Sequence, residues 1–184
     1  PCWACRADDF LKDSVPIQTW ARGMKPYLMN DRFSHRLNTG SRFILQVHYS
    51  EGYEGKKEST TIKLHYSKNK PKELVQYTAL DKTDILYKAN EIVTERISYE
   101  VKDSISLIGL FPHGHFLTKK VETFAVTPEN EILPILKIPN WDYYWQGQYL
   151  FDTPIMIPAG STIYDVVVIE NTAENKYQPN NPPR

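Results

Sequence analysis

The fold of this chain is decided by residues 104–138, which read SISLIGLFPHGHFLTKKVETFAVTPENEILPILKI. Apolar and polar residues alternate over 104–111, and 119–127 and 132–138 are predicted as two further strands. A period of two residues is typical of half-buried β-strands. The turn residues at 128–130 separate the last two stretches, so we predict that they form an antiparallel hairpin.

Similar patterns extend outward along the chain. A first hairpin is predicted from strands at 43–49 and 60–67. The other predicted strands lie at 73–80, 91–100, 141–151 and 162–169, and a loop is predicted at 154–160. Thirteen prolines are distributed along the whole length, and proline excludes helix interiors and central strand positions. The sequence therefore predicts an all-β chain of two sandwich-like units, separated within the polar stretch 81–90.

Composition excludes several classes of protein. The 184 residues carry 22 Lys+Arg and 22 Asp+Glu, so the formal net charge is zero. This balance, without long basic runs, argues against nucleic-acid binding and against a polybasic membrane patch. The hydrophobic fraction of 41% predicts a folded core rather than disorder. No apolar run approaches the roughly 18 residues of a membrane-spanning helix, and no signal-peptide pattern opens the chain. Because the first residue is Pro1, we interpret the chain as a mature product or a fragment.

The two cysteines, Cys2 and Cys5, form one Cys-x-x-Cys motif near the start. A zinc site needs two further ligands at suitable spacing, haem attachment needs His in place of Arg6, and a thioredoxin-like motif needs a preceding strand. We therefore favour structural thiols, or half-cystines whose partners lie elsewhere.

The pair His113 and His115 is the strongest chemical signal. On an extended segment, residues i and i+2 share a face, so both imidazoles can reach one metal ion. Gly114 adds no bulk between them, and Pro112 restricts the backbone before them. Two neutral imidazoles suit copper, zinc, iron or nickel. The alternative is two surface histidines at the end of a strand.

The remaining histidines are weaker candidates. In the predicted strand 43–49, His48 shares a face with Gln46, which places a metal-binding nitrogen beside an amide. A histidine hydrogen-bonded within the sheet is the alternative for His48. His65 shares a face with Lys63 and is expected to be solvated, and His35 lies in an irregular stretch.

Other chemistries find less support. The sequence has no glycine-rich phosphate loop, nucleophile elbow or His-Glu-x-x-His motif, so nucleophilic hydrolysis is not indicated. The aromatic cluster WDYYW at 141–145 is compatible with stacking on sugar rings, as in a carbohydrate-binding module. We favour packing within the protein for this cluster.

Several short motifs, taken in order, resemble the copper type II, ascorbate-dependent monooxygenases, the family of peptidylglycine α-hydroxylating and dopamine β-monooxygenases. They are WARG at 20–23, GSRFILQVHY at 40–49, PHGHFL at 112–117, IPNWD at 138–142, WQ at 145–146, PAG at 158–160 and the stretch 171–183. The later motifs are similar to the bacterial branch. The resemblance spans about residues 18–183.

The resemblance implies two jelly-roll-type β-sandwich domains, each holding one copper. Residues 1–85 would form the C-terminal part of the first copper-site sandwich, and residues 86–184 the second sandwich without its C-terminal end. His48 matches the third histidine of the first copper and Gln46 a glutamine near it. His113 and His115 match the His-x-His of the second copper, where oxygen is activated.

The resemblance also implies the activity: hydroxylation of a C–H bond with O₂ and electrons from ascorbate or another one-electron donor. The family's His-His pair and its methionine ligand have no match in this sequence. Either those ligands lie outside this chain, or the chain is a degenerate relative.

Three hypotheses follow. The first is a copper monooxygenase-like domain that acts outside the cytoplasm on a small molecule or peptide, as part of a larger polypeptide or complex. The second is a non-catalytic β-sandwich module for binding or assembly, with vestigial metal ligands. The third is a hydrolytic or structural zinc site on His113 and His115.

Overall fold

The structure, a computed structural model, describes residues 14–21, 23–29, 32–47, 49, 52, 54–82 and 86–184. These residues form eight strands and no helix, which confirms the all-β prediction. In this part of the chain, accordingly, there is no helix long and apolar enough to cross a membrane.

The chain divides into two compact units. Unit 1 comprises Pro1–Gln18 and Lys25–Tyr77, and unit 2 comprises Thr19–Met24 and Thr78–Arg184. The proposed division into two copper-site sandwiches at 85/86 stays a prediction.

Unit 1 has little regular structure in its described residues. Strands β1 (Phe33–Ser34) and β2 (Glu73–Leu74) form a short parallel pair. An ion pair between Arg32 and Glu73, with a nitrogen-to-oxygen distance of 2.7 Å, flanks this contact. The predicted strand at 73–80 is therefore reduced to its first two residues.

The predicted hairpin of unit 1 is wrong for the residues that the structure describes. Residues 43–47 and 60–67 are not in strands, and the apolar side chains of both segments are largely exposed. The physical reason is the lack of a surface to cover them, because a two-stranded hairpin is at best marginally stable alone in water.

Unit 2 contains two antiparallel sheets. A four-stranded sheet has the order β3-β8-β5-β6, and a two-stranded sheet pairs β4 with β7. The strands are β3 (Glu91–Glu100), β4 (Ile105–Leu110), β5 (Thr118–Val126), β6 (Ile132–Ile138), β7 (Tyr149–Ile157) and β8 (Thr162–Asn171). The central strand, β8, is rich in β-branched residues that suit a sheet with neighbours on both sides.

The core of unit 2 joins the two sheets. Ala125 and Ile163 of the larger sheet cluster with Ile157 of the smaller sheet and with Val101. Partly buried residues from both sheets pack around them: Ile105, Leu107, Leu133, Ile135 and Ile155. Two sheets that bury their inner faces against each other are the architecture of a β-sandwich. A jelly-roll connection remains a prediction.

Most predicted strands of unit 2 are confirmed. The bounds of β3 and β6 match the predictions at 91–100 and 132–138. β4 and β5 differ from theirs by one residue at each end, and β8 extends two residues further than predicted. The predicted hairpin between β5 and β6 is also confirmed. Its turn places Asn130 at φ 63°, a left-handed conformation that asparagine tolerates well.

The predictions around β7 are confirmed only in part, because residues 141–148 are not in a strand and residues 154–157 are not in a loop. The strand predicted at 141–151 and the loop predicted at 154–160 are replaced by a strand at Tyr149–Ile157 that contains Pro154. The pairing of β7 with β4 shifts register between Leu107 and Gly109. Pro154 lies within this irregular stretch, where the missing N–H costs little.

Candidate metal centre

The His113–His115 segment connects the two sheets of unit 2. It follows the end of β4 in the smaller sheet and precedes β5 in the larger one. Both histidines are exposed, whereas Gly114 between them is buried. The backbone is thus enclosed while both rings lie at the surface of the sandwich.

The two imidazoles converge. The His113 Nε2 atom lies 3.2 Å from the His115 Nε2 atom. The ring centroids are 5.1 Å apart and the ring planes are nearly perpendicular, at 87°. The expectation that residues i and i+2 direct their rings to a common side therefore agrees with the geometry.

Gly114 is required at this position because of Thr118. A Cβ atom on residue 114 would lie 2.6 Å from the Thr118 Oγ1 atom and 3.1 Å from the Thr118 Cβ atom. Thr118 is itself buried and opens β5, so it has little freedom to move away. The glycine allows the backbone of the pair to pack against the start of β5.

Hydrogen bonds hold the segment in place. The Thr118 backbone N–H donates to the His115 carbonyl over 3.0 Å, which closes a turn. The next carbonyl, that of Phe116, accepts from the side-chain amide of Asn175 over 3.1 Å. The same amide donates to the Glu170 carbonyl over 2.8 Å, and the Glu170 N–H donates to the Leu117 carbonyl over 2.8 Å. The turn after the pair is therefore tied to the end of β8 and to the chain that follows it.

Aromatic packing supports the same turn. The Phe116 ring stacks on Tyr143, with centroids 3.9 Å apart and an angle of 29°. Tyr143 in turn contacts Tyr144 and Tyr177. The Tyr177 hydroxyl donates to Asp142 over 2.7 Å, and this bond is the first cause of the lowered pKa of the Asp142 carboxyl.

These contacts favour the packing interpretation of the cluster at 141–145. Trp141 is only 4% exposed, and its backbone N–H donates to the Lys119 carbonyl over 2.9 Å. Trp141 is therefore part of the protein interior, whereas Tyr144 is 71% exposed. Three tyrosine rings with centroids 5.3 to 6.3 Å apart touch one another and leave no slot for a sugar between them.

The geometry of the pair fits one metal ion. Two nitrogens that each bind an ion at about 2.0–2.1 Å stand roughly 2.9 Å apart at a right angle and about 3.4 Å apart at the tetrahedral angle. The observed 3.2 Å lies between these limits. The spacing is therefore compatible with a common ion, and it is equally the spacing of a hydrogen bond in which one Nε2–H donates to the other Nε2.

A third ligand is not brought to the pair by the described residues. Among them, no group of three or more His, Cys, Asp or Glu side chains could hold a metal. Met156 lies on β7 beside Ser106, at a register position several residues from the end of β4. The part of the chain with known placement therefore brings two candidate ligands together, without a third.

The predicted first copper site cannot be compared in the same way. His48 lies outside the described residues, and Gln46 is exposed. His65 is exposed, as expected. His35 is partly buried, and this burial lowers its pKa, opposed by a hydrogen bond to the backbone of Ile17.

Sequence reasoning missed the residues that hold the pair in place. Thr118, Asn175 and Tyr143 carry no recognisable motif, and Asn175 is separated from Phe116 by 59 positions. The sequence marks this environment only by Gly114, which adds no bulk between the histidines. The structure shows that its function is to admit Thr118.

Comparison with models of known protein families finds none that matches this chain. A comparison with curated proteins finds no match either. A functional assignment therefore depends on the geometry of the pair and on the motifs in the sequence.

Proposed function

We propose that this chain carries part of a copper-dependent monooxygenase site, in which His113 and His115 bind the copper that activates oxygen. The observation that carries the proposal is the 3.2 Å separation of their Nε2 atoms on an exposed, well-anchored segment. Imidazole nitrogens alone do not select copper over zinc, iron or nickel. The choice of copper comes from the resemblance of the motifs at 40–49 and 112–117 to the copper monooxygenases.

Copper, when bound, would supply one-electron redox chemistry for hydroxylation of a C–H bond with O₂ and ascorbate or another electron donor. The protein's own contribution is rigidity. Ligands held by stiff elements and by supporting hydrogen bonds keep their geometry when the charge of an ion changes. Gly114, Thr118 and Asn175 provide that support to the pair.

The exposure of both rings also fits the proposal, because a small molecule or peptide can reach a metal bound there. Phe111 and Phe116 lie on either side of the histidine pair in the sequence. The ring centroid of Phe111 lies 6.5 Å from that of His113. We further propose that His48 and Gln46 contribute to a separate first copper site. The remaining ligands would come from a larger polypeptide or complex that acts outside the cytoplasm.

The proposal is tested by competition for Cu(I) between the protein and a coloured chelator under anaerobic conditions. His113→Ala and His115→Ala should each weaken binding at this site by at least about 100-fold, because removal of a ligand costs more than loss of a supporting contact. His65→Ala is the matched control, since His65 is exposed and lies in the other unit. Unchanged Cu(I) affinity in both pair variants would refute the proposal.

A non-catalytic binding or assembly module is the second candidate, and the exposed apolar side chains of unit 1 favour it. Oxygen consumption that depends on both ascorbate and copper, and that is lost in His113→Ala, would exclude this candidate. A zinc site on the same pair is distinguished by metal analysis of protein purified without chelators.

A further inference from the structure

Three tyrosines of unit 2 form a continuous set of ring contacts that begins next to the histidine segment. Tyr143, Tyr144 and Tyr177, which we call the tyrosine cluster, touch one another with ring centroids 5.3 to 6.3 Å apart. Tyr143 also stacks on Phe116, the residue after His115. Tyr144 is 71% exposed, so the contacts extend to the surface. An electron passes readily between rings in contact, because it has no gap of solvent or aliphatic packing to cross.

Asp142 provides a proton acceptor for one phenol of this cluster. The Tyr177 hydroxyl donates to the Asp142 Oδ1 atom over 2.7 Å. The Tyr144 backbone N–H donates to the same oxygen over 3.0 Å, which holds the carboxylate in position. These two bonds are the main causes of the lowered pKa of the Asp142 carboxyl. Asp142 is therefore ionised at neutral pH and able to accept a proton from Tyr177.

Lys176 places a positive charge against the same phenol. Its Nζ atom lies 4.4 Å from the centroid of the Tyr177 ring. An ammonium group is attracted to the electron-rich face of a neutral ring, but it repels a ring that has become a cation. Loss of an electron from Tyr177 is therefore favoured when the hydroxyl proton leaves with it, since the ring then stays neutral. Asp142 is in place to take that proton.

We propose that Tyr177 and Asp142 form a redox site in which Tyr177 loses one electron to an oxidant and passes its hydroxyl proton to Asp142. The O–H bond of Tyr177 breaks, an O–H bond forms on Asp142, and a neutral phenoxyl radical remains. The oxidant gains the electron. A one-electron donor such as ascorbate then returns an electron to Tyr177, and Asp142 returns the proton.

The role of this redox site rests on the proposed function, which supplies the oxidant. An oxidant formed at His113 and His115 in the absence of substrate would attack the imidazoles that hold the metal. Phe116 and Tyr143 lead from this segment to Tyr177 through rings in contact. Oxidation of Tyr177 would remove the oxidant, and ascorbate would restore the phenol. The tyrosine cluster would thus protect the metal ligands.

Photochemical oxidation of the metal-free protein tests the redox site independently of the histidine pair. A soluble ruthenium(III) polypyridyl complex, generated by a light flash, serves as the oxidant, and absorption and electron paramagnetic resonance follow the phenoxyl radical. Tyr49 also donates its hydroxyl to a carboxylate, that of Glu58, so all measurements are made in a chain that carries Tyr49→Phe. Tyr177→Phe should then remove most of the radical signal.

Asp142→Asn separates proton transfer from packing. The amide oxygen can still accept the Tyr177 hydrogen bond, but the amide is a far weaker base than the carboxylate. Radical formation should therefore slow at least about tenfold, because proton transfer to a positioned base usually contributes more than this. With Asp142 present, the rate should be nearly constant from about pH 5 to about pH 8, since the lowered pKa keeps the carboxylate ionised. In Asp142→Asn the rate should rise with pH, because water or hydroxide must take the proton.

Tyr99→Phe is the matched control, because Tyr99 is 36% exposed on β3 and no hydrogen bond among the described residues joins its hydroxyl to a carboxylate. Most of the radical signal should remain in this variant. Equal signals in Tyr177→Phe and Tyr99→Phe, or an unchanged rate in Asp142→Asn, would overturn the redox site.

Hydrogen peroxide added to copper-loaded protein tests the protective role. A phenoxyl radical should form that is lost in Tyr177→Phe, and its absence from protein whose histidine pair binds Cu(I) would overturn that role. A pair that binds no Cu(I), in a chain that still forms the radical photochemically, would refute the proposed function and support the redox site.

Discussion

Residues 43–47 of unit 1 and strand β3 of unit 2 carry the same kind of apolar alternation, yet only β3 forms a strand. All ten residues of β3 pair with β8, and its Val93 and Ile97 are partly buried. Leu45, at a corresponding position in the alternation of unit 1, is 51% exposed. Alternation shows which residues share a face of a strand, and the presence of a neighbouring strand and an opposing sheet decides whether that face is buried.

The largest expected effect is on stability. Ile157→Ala should lower the free energy of unfolding by about 2–5 kcal/mol, because Ile157 is fully buried between the two sheets of unit 2. Leu45→Ala should change it by less than about 0.5 kcal/mol, since its side chain is already in contact with solvent. Urea unfolding followed by near-ultraviolet circular dichroism measures both.

Similar losses in the two variants would show that the side chain of Leu45 is buried in solution. The stability difference would then disappear, and with it the contrast between the two units.

A smaller effect is expected from Gly114→Ala, which tests whether close packing sets the candidate site of unit 2. The new methyl group would approach Thr118 Oγ1 to 2.6 Å, and overpacking of this kind costs about 1–3 kcal/mol. The shift of backbone needed to relieve it should also weaken Cu(I) binding by the histidine pair. Chemical denaturation and chelator competition follow the two effects separately.

The double variant Gly114→Ala/Thr118→Ala is the control. Removal of the Thr118 hydroxyl and methyl relieves the closest contact, so part of the lost stability and of the lost Cu(I) affinity should return. If the loss of unfolding free energy in the double variant equals the sum of the losses in the two single variants, Thr118 is not the cause of the glycine requirement.

The sequence predicts local features of this fold well and non-local ones poorly. The turn at 128–130 and the strands on either side of it are encoded within a short stretch, and the convergence of His113 and His115 follows from their spacing. The position of β7 was wrong because Pro154 is tolerated only where the pairing with β4 is irregular. A sequence pattern cannot show that irregularity, since it depends on the partner strand.

The same distinction applies to the candidate site. His113 and His115 were identified from their spacing, whereas Asn175 was not, because it reaches the Phe116 carbonyl from 59 positions away. Residues 43–47 and 60–67 illustrate the converse: their alternation predicts strands, but neither segment is in a strand and their apolar side chains stay exposed. Prediction failed in each case where a contact between distant residues decides the outcome.

The smallest expected effect is a dependence of stability on pH that has opposite signs in the two units. In unit 2, burial raises the pKa of Asp165, opposed by the hydrogen bond from Thr123. The folded state therefore binds this proton more tightly than the unfolded state, so its contribution is complete below pH 3.8 and is lost as the pH rises through the folded pKa. In unit 1, burial lowers the pKa of His35 below 6.5, so its contribution is present above pH 6.5 and is lost as the pH falls toward the folded pKa.

Asp165→Asn should accordingly raise the stability of unit 2 at pH 7, because a neutral amide can still accept the Thr123 hydrogen bond without an ionised group in the sandwich. The gain should shrink as the pH falls below 3.8, where the parent carboxyl becomes protonated in both states. His35→Gln should have the opposite profile and reduce the loss of stability below pH 6.5. Amide hydrogen exchange measured separately in β8 and in the residues around Phe33 reports the stability of each unit. A gain in stability from Asp165→Asn that stays constant across this pH range would show that ionisation of Asp165 is not its source.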